Sequence, residues 1–343
     1  MNEQSPPKPR RATVVDVARA AGVSPGTVSN AISGKRKVDS ETRKRIEAAI
    51  AQLGYVPNLA ARRMRTGRTN TIALFSSMPI AVAAGSSKLG FLMEVAASAA
   101  ITALEHNSVL ALVPPVEDPV KAFQTISMDG AVIVEPAFDD PVLKELLERG
   151  VPTVVIGGPL KRYDCCVNFD YHLMAELLVD HLFDVGAENF VLVVGEGARQ
   201  TNIVFRQVYE QRATRAGMPV RIIEVFETDA ETGAQTAVEE LIKSGHQFDG
   251  VLVPIDAMAT GVMSALRDGG LRVPHDVRIA TRYDGLRARA EQPALTAVNL
   301  HLEEVASQAI RSLVALVETG TVPDTKAIPA PDLIIRESSR LVE

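Results

Sequence analysis

From Thr71 onward, short apolar runs rich in β-branched residues alternate with longer stretches that keep helical spacing. The short runs are TIALF, VLALV, GAVIVE, PTVVIG, FVLVVG, RIIEVF, GVLVP and VRIATRY. The helical stretches between them include FLMEVAASAAITALE, HLMAELLVDHLF, GAQTAVEELIK and ATGVMSALRDG. Continuous apolar runs are typical of strands buried on both faces, and their alternation with helices predicts parallel α/β sheets. The strands are too many for one compact unit, so we expect two lobes.

Between Thr13 and Leu53 the pattern is purely helical. Thr13 stands three residues before Asp16, which is the arrangement of a capping box at a helix start. Apolar residues then recur at helical spacing at Val14, Val17, Ala18 and Ala21. Gly22 ends this predicted helix.

A second and a third helix follow. Ser24 can cap the second, and Pro25 suits its first turn, where the missing N–H of proline costs nothing. We expect Val28 and Ile32 on the inner face of this helix. The third helix is capped by Asp39 or Ser40, and its apolar residues are Ile46, Ala49, Ile50 and Leu53. Helix, short glycine-containing turn and helix together predict a helix-turn-helix.

The composition is that of a globular chain of two or three domains, with 343 residues, 46% hydrophobic and 23% charged. No apolar run reaches the roughly 18 residues of a membrane span, and the polar start MNEQSPPKPRR has no signal-peptide segment. We therefore expect a cytoplasmic, nucleoid-associated protein. The adjacent Cys165 and Cys166 exclude a disulfide framework and a CxxC metal site. They are expected to fill space at a strand, the alternative being a reactive thiol.

Charge is divided unevenly along the chain. Residues 1–70 contain 14 basic and 5 acidic residues, a net charge of +9, whereas 71–343 contain 22 basic and 37 acidic residues, a net charge of −15. A basic head on an acidic body is typical of a nucleic-acid-binding module joined to another function. The outward residues of the second helix and its C-terminal end are short hydrogen-bonders and cations suited to base edges and phosphates. They are Thr27, Ser29, Asn30, Lys35, Arg36 and Lys37.

The segment TVVDVARAAGVSPGTVSNAIS…VDSETRKRIEAAIAQLGYVPNLAARRMRTGRTNTIAL resembles the DNA-binding end of the lactose-repressor family of bacterial transcription regulators. The resemblance runs through about 60 residues without a gap. It implies that the helix after Ser24 enters the major groove of DNA. It also implies a hinge helix over 58–65 that orders on operator DNA and pairs with its dimer mate in the minor groove.

The resemblance assigns roles within the hinge helix. Met64 stands where the family has a leucine that wedges between central base pairs, and a methionine is apolar and slender enough to intercalate. The alternative is that Met64 packs on the module. Small residues let two hinge helices touch, and cations neutralise phosphates. The DNA-binding residues implied in all are Thr13, Ser24, Pro25, Gly26, Thr27, Ser29, Asn30, Lys35, Arg36, Asn58, Ala61, Arg62, Met64 and Arg65.

Two departures from the family bear on DNA specificity. Most members carry an arginine after the TVS triplet, where this chain has Asn30. Arginine pairs with guanine, whereas asparagine favours adenine. Pro25 and Gly26 replace what are often longer base-reading side chains, so family rules for the outer operator bases do not transfer.

The resemblance continues, more faintly, through GGPLKRYDCCVNFDYHLMAELLVDHL, PIDAMATGVMSALRDGGLRVPHDVRIATRYDG, PALTAVNLHLEEVASQAIRSLVALVETG and LIIRESS. It implies a periplasmic-binding-protein-like body with a ligand in the cleft between two Rossmann-like lobes. The expected organisation has four parts. They are a disordered basic leader (1–11), a helix-turn-helix domain (12–57), a hinge helix and linker (58–70), and a two-lobed effector-binding and dimerisation domain (71–343). We expect the N-lobe at about 71–168 and 300–325 and the C-lobe at about 169–298 and 326–343.

The body carries no enzyme signature. Gly195-Glu196-Gly197 follows a strand, but Gln200 stands where a dinucleotide fingerprint needs its third glycine, so the segment is better interpreted as a loop at a cleft. GxxxxGK[ST], GxSxG and HExxH do not occur, and His172 and His181 lack metal-ligand spacing. We expect no cofactor and no metal.

Effector-binding candidates lie at strand ends, where cleft residues gather in open α/β sheets. Asp256 aligns with an acidic residue that the family uses on ligands, the alternative being a helix cap. Arg282 stands before Tyr283 where the family has a small residue; it could meet an anion or pair with Asp256 or Asp284. Phe205 occupies the place of an effector arginine in many sugar binders, with Arg206 one step around the helix.

These observations predict a homodimeric, sequence-specific DNA-binding regulator, most simply a repressor. Its partners would be a pseudo-palindromic double-stranded operator and a small-molecule effector, without a membrane. An exposed Asp256 and Arg282 facing an apolar first loop suggest a carboxylate or sugar acid. The alternative class is a solute-binding protein or enzyme with an incidental basic head. No C-terminal heptad zipper is evident, so a tetramer through such a zipper is not expected.

Overall fold

Three short helices form the first unit of the protein. The computed structural model describes residues 12–33, 36–55, 67–83, 90–115, 119–158, 165–322 and 327–340. It divides the chain into one unit from Met1 to Thr69 and another from Asn70 to Glu343. The helices of the first unit are α1 (Val14–Ala21), α2 (Pro25–Ser33) and α3 (Ser40–Leu53).

The caps predicted for these helices are present. Thr13 and Asp16 form a capping box at the start of α1, and Gly22 ends it in the left-handed conformation. The Ser24 hydroxyl accepts a hydrogen bond from the Thr27 amide at 3.1 Å, and Asp39 caps α3. These side chains satisfy backbone amides that have no partner within a helix.

The three helices enclose a small core. It contains Val17, Ala18, Ala21, Val28, Ala31, Ile46 and Ala49. The expected position of Ile32 on the inner face is wrong, because its side chain is 37% exposed and Ala31 is buried in its place. Leu53 is also exposed, since it lies in the last turn of α3.

The second unit contains two sheets. We call each sheet, together with the helices that pack on it, a lobe: the first lobe and the second lobe. The first sheet has the order β2-β1-β3-β4-β5, with every pair parallel. Its strands are β1 (Thr71–Ser76), β2 (Val109–Val113), β3 (Gly130–Val134), β4 (Thr153–Ile156) and β5 (Cys166–Val167). The helices within this part of the chain are α4 (Ile80–Ala83), α5 (Phe91–Glu105), α6 (Pro119–Thr125) and α7 (Pro141–Glu148).

The second sheet has the order β11-β10-β9-β8-β6-β7, parallel except for the edge pair β10–β11. Its strands are β6 (Phe190–Gly195), β7 (Ile222–Val225), β8 (Gly250–Val253), β9 (Arg278–Tyr283), β10 (Thr296–Asn299) and β11 (Asp332–Ile334). The helices that follow β5 are α8 (Tyr171–Asp184), α9 (Gln200–Ala216), α10 (Ala230–Lys243), α11 (Asp256–Asp268), α12 (Leu286–Ala290) and α13 (Leu302–Thr319).

The chain passes between the lobes where strands give way to helices. It leaves the first sheet after β5, returns after β10, and passes to the second sheet again after α13, which packs on α5, β3 and β4. Alternate residues of the first sheet face opposite cores: Ile72 and Leu74 lie in one, Ala73 and Phe75 in the other. The predicted fold class, a helix-turn-helix followed by a two-lobed α/β domain, is confirmed. Among the described residues, no helix is long and apolar enough to cross a membrane.

Candidate effector cleft and DNA-binding face

Polar side chains from both lobes meet at the carboxyl ends of the parallel strands. Glu135 follows β3 of the first lobe, whereas Arg199, Glu227 and Asp256 follow β6, β7 and β8 of the second. Strand ends of open α/β sheets are where ligands bind. The cavity between them is lined by Met78, Val82, Phe91, Glu135, Arg199, Thr201, Asn202, Glu227, Pro254, Ile255, Asp256, Arg282 and Tyr283.

Glu135 and Arg282 form a buried ion pair across the cleft. Arg282 Nη1 donates to Glu135 Oε1 at 2.5 Å and to Thr201 Oγ1 at 2.7 Å, and Nη2 lies 3.3 Å from Glu135 Oε2. Burial acts to lower the pKa of Arg282, but the Glu135 carboxylate outweighs it and the pKa is raised. Arg282 therefore remains a cation with its own counter-ion.

Tyr171 completes the surroundings of Glu135. Its hydroxyl donates a hydrogen bond to Glu135 Oε1 at 3.0 Å. Burial, reinforced by the Glu135 charge, raises the pKa of Tyr171 well above its ordinary value. The phenol is therefore a hydrogen-bond donor at any physiological pH.

Arg199 makes a second bridge between the lobes. Its Nη1 and Nη2 donate to the carbonyls of Glu135 at 2.7 Å and Ser77 at 2.9 Å, both in the first lobe. Its Nε donates to Glu227 Oε2 at 2.8 Å, in the second lobe. Asn202 donates to the other Glu227 oxygen at 2.8 Å, so this carboxylate is held from two sides.

Tyr283 closes the cleft on its apolar side. Its hydroxyl donates to Glu94 Oε2 of the first lobe. Its ring meets the Phe91 ring edge-on at 5.6 Å, and the Arg282 guanidinium lies 5.2 Å from the same ring. Aromatic and cation–π contacts therefore supplement the ion pairs.

Asp256 is buried in this cluster, contrary to the expectation that its carboxylate is exposed. It is the first residue of α11, and Ile255 occupies the N-cap position without a side-chain cap. Its nearest cation is Arg287, with Nε 3.8 Å from Oδ2. Burial raises the pKa of Asp256, and Arg287 partly offsets this. Oδ2 makes no hydrogen bond to the described residues, and Asp256 is one of the residues that line the cleft cavity.

The space left between the lobes is small. The cleft cavity has a volume of about 20 Å³, enough for about one water molecule. A larger cavity of about 350 Å³ lies elsewhere, against the interlobe connections. It is lined by Cys166, Val167, Asn168, Phe169, Asp170, Met174, Leu300, Gln308, Ala327, Ile328, Pro329, Ala330 and Pro331. The charged residues converge on the small cavity, so we assign the candidate effector site there.

The helix-turn-helix presents short polar residues on α2. Ser24, Pro25 and Gly26 are exposed, and Thr27, Ser29 and Asn30 are half-buried. The Ser24 and Thr27 hydroxyls lie 2.9 Å apart. Exposed cations also lie on the neighbouring elements of the same unit; they are Arg19, Arg36, Lys37, Arg43, Lys44 and Arg45. This face can offer hydrogen bonds to base edges and charges to phosphates.

Comparison with known proteins accounts for both units. Residues 13–58 match "Bacterial regulatory proteins, lacI family", and residues 179–339 match "Periplasmic binding protein-like domain". The HTH-type transcriptional regulator CelR of Thermobifida fusca is 28% identical over 96% of this chain and 98% of its own length. The HTH-type transcriptional regulator GalR of Escherichia coli K12 is 26% identical over 95% of each.

Residues 13–58 belong to the lacI family of bacterial regulatory proteins, and a periplasmic-binding-protein-like domain follows them.

Solved structures agree with this membership. The "transcriptional regulator CelR-cellobiose complex" covers 96% of this chain with 26% identity and a TM-score of 0.69. The "lac repressor dimer bound to operator and the anti-inducer ONPF" covers 96% with a TM-score of 0.77 and, at 22% identity, shows the shared fold. Because transcriptional regulators match both units together, the alternative of a solute-binding protein or enzyme with an incidental basic head is excluded.

Two effector residues expected by analogy with the LacI family lie away from the cleft. Phe205 is fully buried in the hydrophobic core of the second unit. Arg206 is paired with Glu224 of β7 and does not line the cavity. Neither side chain lines the cleft cavity, because their positions on α9 face the core and the β7 strand, and an effector contact by either stays a prediction. Asp256, Arg282 and Tyr283 do lie together.

The pairing of Arg282 also differs from expectation. Its partner is Glu135, rather than an effector anion, Asp256 or Asp284. Asp284 pairs instead with Arg289 and Arg336, at 3.1 and 2.6 Å. The reason for expecting an anionic effector, an exposed carboxylate beside an unpaired arginine, is thereby removed.

Sequence reasoning missed several cleft residues, although they follow strand ends as Asp256 does. Glu135 is the last letter of the GAVIVE run, and Glu227 follows RIIEVF by one residue. Arg199 follows the Gly195–Gly197 loop, where a Cβ on Gly195 would come within 2.9 Å of Glu227 Oε1. Gly195, which belongs to the segment that fails as a dinucleotide motif, thus leaves room for the Glu227 carboxylate to approach.

Several sequence predictions lie outside the described residues. They concern Lys35, Asn58, Ala61, Arg62, Met64 and Arg65. Thr13 is described, and its hydroxyl takes part in the capping box, donating to Asp16 Oδ2 at 2.7 Å. Its contact with DNA stays a prediction.

The two cysteines lie at a strand, as expected. Cys165 is buried and Cys166 belongs to β5. Burial raises the pKa of both thiols to about 11, which disfavours the thiolate that a nucleophile or sensor needs. No group of residues suited to a metal ion occurs within the described parts of the chain.

Proposed function

We propose that this regulator binds a pseudo-palindromic operator as a homodimer and represses transcription, and that a small molecule between its lobes changes operator affinity. The observation that carries the proposal is the polar cluster joining both lobes at their strand ends. A ligand there can favour one angle between the lobes. A coupling free energy of about 1–3 kcal/mol would then change operator occupancy 5- to 150-fold. We infer that the protein acts on chromosomal DNA in the cytoplasm.

For DNA recognition, we propose that α2 enters the major groove with Asn30 reading adenine. Exposed arginines and lysines around α2 supply phosphate contacts, so operator affinity should fall steeply with salt. Selection from random duplexes should return sites with two-fold symmetry. Asymmetric sites, or affinity independent of salt, would contradict the proposal.

The hinge expected over 58–65 belongs to the same proposal. If Met64 wedges the central base step, Met64→Ala should abolish operator bending and weaken specific binding while the protein remains folded. A circular-permutation gel assay measures the bend. Unchanged bending would assign Met64 to packing.

For dimerisation, we propose a surface formed by the outer side of α5 and the edge strand β2. Ile101 and Leu104 of α5 are 65% and 70% exposed, and Val109 and Leu112 of β2 are exposed beside them. Apolar side chains gathered on one surface are typical of protein interfaces. The related lac repressor structure is described as a dimer on its operator, which favours a second copy as the occupant.

The dimer surface is tested with Leu104→Lys. We expect sedimentation to show monomers and operator affinity to fall by at least tenfold. Leu147→Lys is the matched control, since Leu147 is 51% exposed on α7. A dimer unaffected by Leu104→Lys would move the interface elsewhere.

For the effector, we propose a small polar molecule without net charge. Glu135 pairs with Arg282 and Glu227 with Arg199, and Asp256 lies 3.8 Å from Arg287, so each acidic side chain that lines the cavity has a basic neighbour. A net charge on the ligand would lack a counter-ion in this buried place. CelR, which is similar over nearly the whole chain, is solved as a cellobiose complex, which favours a hydroxyl-rich ligand.

A thermal-shift screen of neutral sugars, zwitterions and organic acids tests the effector proposal. A neutral or zwitterionic compound should raise the Tm of the wild type and change operator affinity. It should do neither for Asp256→Asn, because the carboxylate that orients it is lost. Stabilisation by organic acids alone would contradict the proposal.

A further inference from the structure

The Glu135–Arg282 pair occupies the position between the lobes where an effector would lie. Both side chains are at least 94% buried, and their partners Thr201 and Tyr171 are buried as well. The pair joins the end of β3 in the first lobe to β9 in the second, and its two residues are 147 apart in sequence. It therefore exists only while the lobes are together.

The backbone of Glu135 is arranged for this contact. Glu135 has φ of 43°, in the left-handed region that a glutamate rarely adopts. Its amide donates to the Ile156 carbonyl at 2.7 Å, which holds the residue in this conformation. Strained backbone at a strand end that aims a side chain across a cleft is typical of a functional position.

The next strand makes room for the pair. Gly157 follows β4, and a Cβ placed on it would come within 2.4 Å of the Tyr171 hydroxyl and 3.1 Å of Glu135 Cγ. The glycine therefore allows Tyr171 to approach and donate to Glu135. Backbone and neighbouring side chains together fix one position of the Glu135 carboxylate.

Additional bonds cross the cleft beside the pair. Arg199 donates to the carbonyls of Ser77 and Glu135, and Tyr283 donates to Glu94. The amide of Phe138 in the first lobe donates to the Ala198 carbonyl of the second at 3.1 Å. This last bond joins two backbones and would break when the lobes separate.

A ligand of sugar size does not fit while the pair is intact. The remaining cavity of about 20 Å³ is more than tenfold smaller than the roughly 300–1,000 Å³ of ordinary ligand sites. The groups that a ligand would displace are the two charges themselves. Each would then need a replacement partner, because an unpaired buried charge is strongly unfavourable.

We infer that Glu135 acts as an internal occupant of the effector cleft, so that this domain closes on its own Arg282 without an effector. The inference rests on the proposed effector function of this cleft. An effector enters by separating Glu135 from Arg282. It must offer a hydrogen-bond acceptor to Arg282 and a donor to Glu135, which restricts the site to molecules that carry both.

Hydrogen exchange of the full-length protein tests the inference. The protein is dialysed exhaustively, and native mass spectrometry verifies that no small molecule remains bound. In the wild type, the Phe138 amide should exchange slowly. In Arg282→Ala and in Glu135→Ala it should exchange about 100-fold faster, because either change leaves one buried charge unpaired and favours open lobes.

The matched control is Arg212→Ala. Arg212 pairs with Glu176 and Asp180, at 3.1 and 3.0 Å, within the second lobe and not across the cleft. Exchange at Phe138 should be unchanged in this variant. The amides of Val251 and Leu252 in β8 should stay protected in every variant, which shows that the domain remains folded.

If a single variant does not fold, Glu135→Ala/Arg282→Ala replaces it, since it leaves no unpaired charge. The double variant should also lose protection at Phe138. Rapid exchange of Phe138 in the wild type, or equal protection in wild type and both pair variants, would overturn the inference. Operator binding measured on the same samples tests the proposed function separately: a wild type that fails to bind DNA but protects Phe138 refutes that function alone.

Discussion

The DNA-binding face and the effector cleft assemble their functional side chains in opposite ways. The short polar residues of the face come from one helix and its cap, between Ser24 and Asn30, and are neighbours in sequence. The cleft joins Glu135 to Arg282 and Arg199 to Ser77, pairs separated by 147 and 122 residues. A helix orients side chains by its own period, whereas a cleft orients them through the alignment of two sheets. The first can therefore be derived from a local pattern, and the second cannot.

The two regions also differ in how much core supports them. Among the described residues of the head, seven small or medium side chains are buried in the core, and Ile46 is the largest of them. The body buries a far larger set that extends through both lobes. Small domains bury a smaller share of their surface and are only marginally stable. A single core change should therefore unfold the head while leaving the body folded.

The largest expected effect is that of Ile46→Ala. Ile46 is 1% exposed, so the change should lower the free energy of unfolding of the head by about 2–5 kcal/mol. Calorimetry should show the transition of the head moving to much lower temperature, with the transition of the body unchanged. Operator binding should be lost with it.

Ile32→Ala is the matched control for Ile46→Ala. Ile32 is 37% exposed, so the same replacement should change stability by no more than about 0.5 kcal/mol. Equal losses from the two variants would mean that Ile32 belongs to the core after all.

The elements that could be predicted from sequence are those decided locally. The capping box of Thr13 and Asp16, the cap at Ser24, and the strands of the α/β body each follow from neighbouring residues, and the structure contains them. Asp256 and Arg282 were found by the strand-end rule, and both line the cleft. The family resemblance added the role of α2, which spacing alone does not give.

The errors concern partners that come from distant parts of the chain. Ile32 and Ala31 are adjacent, and helical spacing does not decide which of them the third helix covers. For Arg282 the alternatives were an anionic ligand or an ion pair with Asp256 or Asp284, whereas its partner Glu135 comes from the other lobe. Phe205 was placed by alignment with an effector arginine, but an apolar side chain at that helix position joins the core.

The cleft can be tested by adding one carbon atom at Gly157. Gly157→Ala should lower the free energy of unfolding of the body by about 1–3 kcal/mol in addition to the cost of placing alanine at a positive φ. The addition arises because the new Cβ meets Tyr171 and Glu135. Gly150→Ala is the control, since Gly150 has φ of 64° and nothing within 4 Å of the added Cβ. Urea unfolding of the two variants measures the difference. Equal losses would mean that Tyr171 and Glu135 move aside freely.

The local character of the DNA-binding face can be tested by a single change of specificity. Asn30→Arg should replace a preference for adenine by one for guanine at one symmetric position of each half-site, worth about 1–3 kcal/mol. Selection from random duplexes with wild type and variant measures it, and the other positions of the operator should stay the same. A change spread over many positions would mean that Asn30 acts through the orientation of α2 rather than on a base.

The smallest expected effect separates the two roles assigned to Thr13. The family resemblance implies a DNA contact, whereas the structure has its hydroxyl in the capping box of α1. Thr13→Ala should lower the free energy of unfolding of the head by about 1 kcal/mol, because the Asp16 amide loses its acceptor. Gln52→Ala is the control, since Gln52 is exposed on α3 and takes part in neither cap of that helix. Operator affinity, corrected for the folded fraction, then decides between the roles. An operator affinity equal to that of the wild type means that Thr13 only caps α1. A further loss of affinity with a shallower salt dependence means that Thr13 also contacts the DNA at a phosphate.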